Sequence, residues 1–526
     1  MKKNSLYYVV LLLCAVVQGA WAEAPVPSTE LEPYITTLGN RMVYKFNYPT
    51  TSVTGEPIVL SSLLACWAPK EPEEGAAIES VHIYSHYTVT SNSQCPTSYT
   101  TSSADFVVLV PLFEGYAYDE KNPYKSIVKR SIVIMPDYEG YGVSSDRTHP
   151  YLAEEITAKQ VIEAVTYGLE LYGKLNGADN TLPLKDDWRC FSIGYSQGGA
   201  AALAVQRYIE MNDLSDQLHF RGTICGDGPY DLIATMRYYM DDDGTSYGTT
   251  TSHRQEQATM PVVLPMIMNG MIVCDPNMSS HTINDYLAQS FLDTGILDWL
   301  NNKNMSTSDI NKAWLTQMDE GAVTIGEKTY TAPANMSEMF FKQEVPGMIW
   351  GTETVAWAHL DKIFSPGLYN YLKNSNNFNS TPALTGDPYE DLRYALEANN
   401  VCTGWQPQHR IQFAHSKGDM VVPYGNYLAF RGAHPSGEND IYRIDDTYSD
   451  SDHLNSGSKF LVKLSSEFFS YFEWVDGSTP TGIKTITDER DLMDDAWYDL
   501  SGRKLAGRPT EKGLYIHRGK KVVMSW

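Results

Sequence analysis

A chain of 526 residues has room for one large catalytic domain with a substantial insertion, or for two domains and a tail. With 42% hydrophobic and 20% charged residues it has an ordinary globular composition and can bury a large core. A net charge of −24 argues against nucleic acid or an anionic membrane as a partner and reads as solubility.

Met1-Lys2-Lys3, the apolar run Leu6 to Val17 and the small-residue site Ala20-Trp21-Ala22 have the layout of a signal peptide over residues 1–22. The mature chain then begins near Glu23, exported to the periplasm, the cell surface or the medium. Cys14 lies inside the apolar run rather than at its end, which disfavours lipidation. No stretch reaches the ~18 to 20 apolar residues of a membrane span, so stable membrane insertion is not expected.

After a Pro-rich entry (Ala24 to Pro33), Met42, Tyr44, Phe46 and Tyr48 alternate along a half-buried strand. Pro57 to Trp67 and Val81 to Ser85 read as two more strands. Ser131 to Met135, more hydrophobic than the others, reads as a central strand covered on both faces. A helix carries Ala158, Val161, Ile162, Val165 and Leu169, with Thr157 as its expected cap. A strand at Trp188 to Ile193, a helix through Met211 and a strand at Arg221 to Cys225 follow. Strands alternating with helices predict an α/β class, a mostly parallel sheet with helices on both faces. That gives a first core part over residues 23–240.

From 241 to 400 the rhythm breaks into segments rich in Met, Trp and Phe, with a helix expected over Ile283 to Leu300. This reads as a cap or lid insertion whose apolar residues mainly form its own core, a subset being suited to an acyl pocket. Asp241-Asp242-Asp243-Gly244 hints at calcium, but position 12 of that loop is Ser252, so an EF-hand is rejected. The sheet pattern resumes over 401–476, with strands at Arg410 to Ala414 and Ile441 to Ile444 and a helix bearing Phe460, Leu464, Phe468 and Phe472. Residues 477–526 form a separate β module, with hairpins expected at Trp497 to Lys504 and Gly513 to Val522. Six cysteines follow the signal peptide. Cys190 and Cys225, in apolar runs, read as free thiols. Cys66–Cys95 and Cys274–Cys402 are the expected bridges, and no spacing suggests a metal site.

The chemistry is concentrated in Gly194-Tyr195-Ser196-Gln197-Gly198-Gly199, between a strand and a helix. A G-x-S-x-G in that context is a nucleophile elbow, with glycines where side chains would collide with strand or helix. A serine hydroxyl needs a base in hydrogen-bond reach and a carboxylate to fix that base's tautomer. Asp419 and His453 each follow a late strand, in the chain order Ser, acid, His. Asp445, Asp446 and Asp452 are rival acids on the histidine's own loop, and His415 and His434 are rival bases, His415 being placed beside the acid loop. The oxyanion donors are the backbone N–H of Gln197 and, in the loop after the third strand, that of Tyr87 beside His86.

Gly194 to Gly199, Pro136 to Gly142, His149-Pro150-Tyr151-Leu152, Gly228-Pro229-Tyr230-Asp231 and the His415 to Pro423 run together resemble the secretory-lipase branch of the α/β-hydrolases, over roughly Arg41 to Trp474. The resemblance implies hydrolysis of carboxylic esters through an acyl-enzyme by Ser196, His453 and Asp419, without a cofactor. The partner is then a small-molecule or polysaccharide-linked ester. His86-Tyr87 stands where many relatives have His-Gly. The C-terminal module resembles sorting tails of type IX secretion cargo. A serine peptidase of the same fold and a catalytically silent surface-binding protein are the alternatives. Peptidase relatives carry a propeller-sized N-terminal domain, for which there is no separate stretch here. Oligomeric state is not legible.

Overall fold

A computed structural model describes residues 24–477 except 37–38, 72–73, 104–105, 107–115, 120–121, 129, 241–254, 347–351, 446, 448–450 and 467, together with 497–498, 508, 513–517 and 520–524. The signal-peptide segment and the Asp241 to Gly244 loop lie outside the described residues. No described helix is long and apolar enough to cross a membrane.

One nine-stranded sheet organises the chain. Its strands are β1 (Glu32–Ile35), β2 (Arg41–Thr51), β3 (Pro57–Trp67), β4 (Ile78–Ser85), β5 (Ser131–Pro136), β6 (Leu184–Tyr195), β7 (Phe220–Gly226), β8 (Arg410–Ala414) and β9 (Tyr442–Asp445). They lie in the order β1-β2-β3-β5-β4-β6-β7-β8-β9. The first three strands and the β3–β5 pair are antiparallel. From β5 to β9 every neighbour is parallel. β1 falls in the Pro-rich entry that periodicity leaves unassigned, because a four-residue edge strand shows too little alternation. All six residues of β5 are buried, as expected of a central strand; full burial of each large apolar side chain stabilises by about 1.5–3 kcal/mol.

The two-residue period of the strands feeds two cores. Cys190 faces one cluster, formed with α1 (Glu154–Leu175) and α2 (Gln197–Met211). Phe191, Ile193 and Tyr195 face the other, filled by Phe460, Leu464, Tyr471 and Phe472 of the two C-terminal helices, α3 (His453–Ser466) and α4 (Phe468–Asp476). α1 begins with Ala153 in the capping position rather than with Thr157. Asn399 Oδ1 accepts the Glu154 N–H at 3.0 Å, so a distant loop satisfies a helix-end donor that a local cap would otherwise take.

The segment between Met240 and β8 has its own core of Met, Trp and Phe side chains. It holds strands as well as helices: Phe340–Pro346 pairs with Thr352–His359, and Ala322–Ile325 with Lys328–Thr331. The single helix expected over Ile283 to Leu300 is three short ones, Ile283–Tyr286, Gln289–Leu292 and Ile296–Asn302. Leu287 leaves the helix to bridge Phe364, and Gly295 takes φ 99° with the Tyr330 ring packed against its Cα. In the tail, Gly513–His517 and Lys520–Met524 form the expected hairpin, and Trp497–Tyr498 pairs with Ile516 and His517; the rest of the hairpin expected at Trp497 to Lys504 lies outside the described residues.

Both expected disulfides are absent, and all six cysteines are free. Cys66 of β3 packs in the core beneath the helices, while Cys95 packs with Val89 and Tyr141 in a separate cluster. Cys402 belongs to the main core, whereas Cys274 packs against the insertion's core. Burial pushes the Cys66 and Cys95 thiols up to about 12, which keeps them protonated.

Candidate active site

Six loops converge where the parallel strands end, and the elbow is central among them. Ser196 joins β6 to α2 at φ 58°, ψ −125°, a strained conformation costing of order 1–3 kcal/mol. The neighbours hold it there. Ser196 N–H donates to Gly226 O at 2.9 Å. A Cβ on Gly194 would sit 1.9 Å from Gly198 O, and one on Gly198 would sit 2.0 Å from Ser85 O. The glycines are therefore steric requirements, as the motif predicts.

His453 Nε2 lies 2.9 Å from Ser196 Oγ, and His453 Nδ1 lies 2.5 Å from Asp419 Oδ2. Asp419, fully buried, accepts at Oδ1 from Val421 N–H (2.8 Å) and Val422 N–H (2.9 Å). These bonds fix its orientation and leave Oδ2 for the imidazole. Burial lowers the His453 pKa, but the carboxylates around it, Asp419 foremost, together hold the imidazole above its ordinary value. A carboxylate, an imidazole and a hydroxyl thus stand in one hydrogen-bonded line, an arrangement through which a proton can pass from the hydroxyl to the imidazole.

The rival residues are engaged elsewhere. Asp445 accepts from Lys463 at 2.5 Å and from Tyr471, and Asp452 accepts from Asn455 N–H at 3.0 Å. Asp446 lies outside the described residues. His415 Nε2 meets Val422 O and His434 Nε2 meets Cys402 O, both at 2.9 Å. His415 thus packs beside the acid loop, as expected.

Gln197 is the first residue of α2, where the backbone N–H has no intrahelical acceptor. The Ser85 and His86 carbonyls abut Gly198, so the chain leaving β4 passes beside the elbow and delivers half-buried Tyr87 there. His86 is buried, with Nδ1 2.7 Å from Tyr87 O and its ring stacked on Tyr138 at 4.1 Å. Burial lowers its pKa to about 4, so it is neutral.

Two further residues belong to this site and receive no role from the sequence, although His149 lies in one of the motifs that carry the resemblance. His149 Nε2 lies 2.8 Å from Gln197 Nε2, and His149 Nδ1 lies 2.7 Å from Glu139 O. Burial lowers the His149 pKa to about 3, so its one N–H donates to the carbonyl and Nε2 accepts from Gln197. The second is Asp227, at the end of β7 and fully buried, which touches Tyr195, Ser416 and Ser456. Its position at a strand end, flanked by Gly226 and Gly228, is a signal present in the sequence. Ligand atoms of Asp227, His415 and Asp419 lie within 4.8 Å of one another. Hydrogen bonds already occupy His415 Nε2 and the carboxylate oxygens of Asp227 and Asp419, so the cluster reads as a polar network rather than a metal site.

Beside the acid loop, the insertion and the core enclose an apolar cavity of about 60 Å³. Met236, Tyr239, Met260, Ile267 and Val421 are among its walls. Tyr239 and Thr259 hydroxyls both donate to Met420 O, which ties the cavity wall to the loop holding Asp419.

No family model and no curated protein sequence matches the chain. Solved structures do. The cell-wall-degrading esterase LipA of Xanthomonas oryzae aligns over 83% of this chain and 91% of its own, at 19% identity and TM-score 0.56. A solved protein of Legionella pneumophila aligns over 82% of this chain and 89% of its own, at 18% identity and TM-score 0.53. The chain has the α/β-hydrolase fold. In an α/β-hydrolase the strand order, the elbow after the central strand and loops carrying acid and histidine at the same sheet edge are parts of one plan.

Proposed function

We propose that this α/β-hydrolase is an exported serine esterase that cleaves carboxylic esters through an acyl-enzyme. The observation that carries the reading is the unbroken hydrogen-bond line from Asp419 through His453 to Ser196 Oγ. Ser196 Oγ attacks the ester carbonyl carbon while His453 Nε2 takes its proton. The N–H groups of Gln197 and Tyr87 receive the oxyanion, each worth roughly 3–4 kcal/mol in the transition state. The tetrahedral intermediate expels the alcohol, protonated by His453. Water, deprotonated by the same imidazole, then releases the acid.

The substrate is a small-molecule or polysaccharide-linked ester. The fold likeness to a cell-wall-degrading esterase and the apolar cavity beside Val421 support an ester with an apolar acyl group. Export rests on the layout of residues 1–22 and on the sorting-like tail. The test is hydrolysis of short- and medium-chain aryl esters by wild type and Ser196→Ala. The account expects wild-type turnover and none above background in the variant; equal rates would refute the nucleophile.

A further inference from the structure

Behind the triad, the buried hydroxyls supply one proton fewer than their contacts require. Tyr195 Oη lies 2.7 Å from Asp227 Oδ2 and 2.6 Å from the His453 carbonyl oxygen. Ser456 Oγ contacts the same Asp227 oxygen. Each of these three oxygen–oxygen contacts needs a hydrogen between its atoms. Tyr195 and Ser456 bring one hydrogen each, and a carbonyl brings none. With Asp227 ionised, one contact would press lone pair against lone pair in a site closed to water.

We propose that Asp227 is a neutral carboxylic acid in the folded protein at pH 7, donating its Oδ2 proton to Tyr195, which donates in turn to the His453 carbonyl. Ser456 then donates to the Oδ2 hydroxyl oxygen, and Oδ1 accepts from Ser416 N–H at 2.7 Å. Every contact is satisfied.

The surroundings agree with this count. Burial, and after it the neighbouring Asp419 carboxylate, raises the Asp227 pKa; His415, His453 and Ser456 act in the opposite direction. The groups facing it are Tyr195 at the end of β6, His415 and Asp419 after β8, and His453 and Ser456 on α3. Neither imidazole hydrogen-bonds to the Asp227 carboxyl. His415 Nε2 is 3.6 Å from Oδ1 and donates instead to Val422 O. Asp419 differs in its contacts: Oδ1 accepts from two backbone N–H groups and Oδ2 faces the imidazole, with no buried hydroxyl left short of a proton. Two buried carboxylates thus take different roles. Asp419 carries the negative charge at His453, while neutral Asp227 is a positioning residue that ties the nucleophile strand, the acid loop and the histidine's backbone together.

The test is denaturant unfolding of wild type and Asp227→Asn from pH 5 to 8, with ester turnover measured for these and for Asp227→Ala. Asn keeps two of the neutral acid's bonds, donating to Tyr195 and accepting from Ser416 N–H, and reverses the third, its second N–H donating to Ser456 Oγ. In wild type the unfolded chain releases the Asp227 proton above about pH 4, whereas the folded chain keeps it. The folded state then binds more protons, so stability falls as pH rises towards the folded-state pKa. Asp227→Asn lacks this loss, and its folding constant should gain about tenfold on wild type per pH unit through that window. Turnover should drop tenfold or more in Asp227→Ala and recover in Asp227→Asn. A stability difference constant from pH 5 to 8 would overturn the proposal, and so would failure of Asp227→Asn to fold. The unfolding readout stands apart from ester activity, so it decides the point even if the esterase reading fails.

Discussion

Replacing Asp419 by Asn tests the triad's electrostatics with almost no change in shape. The side-chain oxygen that accepts from Val421 and Val422 has good reason to stay. Turning the amide over would aim its N–H groups at two buried N–H donors, at about 1–3 kcal/mol for each group left unsatisfied. The amide NH2 therefore replaces Oδ2, which lies 2.5 Å from His453 Nδ1. Nδ1 must then accept, so the imidazole proton moves to Nε2, which faces Ser196 Oγ at 2.9 Å. A base carrying a proton on that nitrogen cannot take another from serine. The expected loss is roughly 10³- to 10⁴-fold in kcat, or about 4–5.5 kcal/mol. Turnover of a medium-chain aryl ester, with folding checked by circular dichroism, measures it. Activity within tenfold of wild type would refute the assignment of Asp419.

The remaining predictions concern pH, packing, thiols and the cavity. The acid limb of kcat/KM should have its midpoint above the ordinary ~6.5 of histidine, because the surrounding carboxylates, Asp419 foremost, together raise the His453 pKa against burial; a midpoint below 6 in the rate profile would contradict this. In stability the same shift acts in the opposite direction: the contribution from His453 is full below the unfolded-state value and is lost as pH rises through the folded one. Gly198→Ala should cost more than about 4 kcal/mol in denaturant unfolding, since the added methyl would meet backbone at 2.0 Å. Thiol titration of the denatured, unreduced mature protein should find all six cysteines reactive, whereas the disulfides expected from sequence would leave two. Ile267→Trp, filling the cavity beside Val421, should lower kcat/KM for medium-chain esters about tenfold relative to acetyl esters, read from an acyl-length series.

What was legible in the sequence is what short segments encode. The elbow announces itself because Gly194, Ser196 and Gly198 must be adjacent to make the turn. Asp419 and His453 were readable because each follows a recognisable strand, in the order the fold imposes. Ser131 to Met135 reads as a central strand because burial on both faces leaves an unbroken apolar run, Ile132 to Met135. Where distant segments decide the outcome, sequence reasoning stopped short. Asp227 gains its role from Tyr195, Ser416 and Ser456, which belong to three other parts of the chain. Thr157 lost its expected place as a cap to Asn399, 242 residues onward in the numbering. The cysteine pairings failed because each pair is divided between separate packed clusters, which spacing along the chain does not record.

The central claim is that Ser196 is a nucleophile activated by His453. Its most direct measurement is reaction of the folded protein with a fluorophosphonate, followed by digestion and peptide mass spectrometry. The account predicts one adduct per chain, located on the peptide containing Gly194 to Gly199 and lost in His453→Ala as well as in Ser196→Ala. No adduct on the folded wild-type protein, or an adduct on another residue, would contradict it.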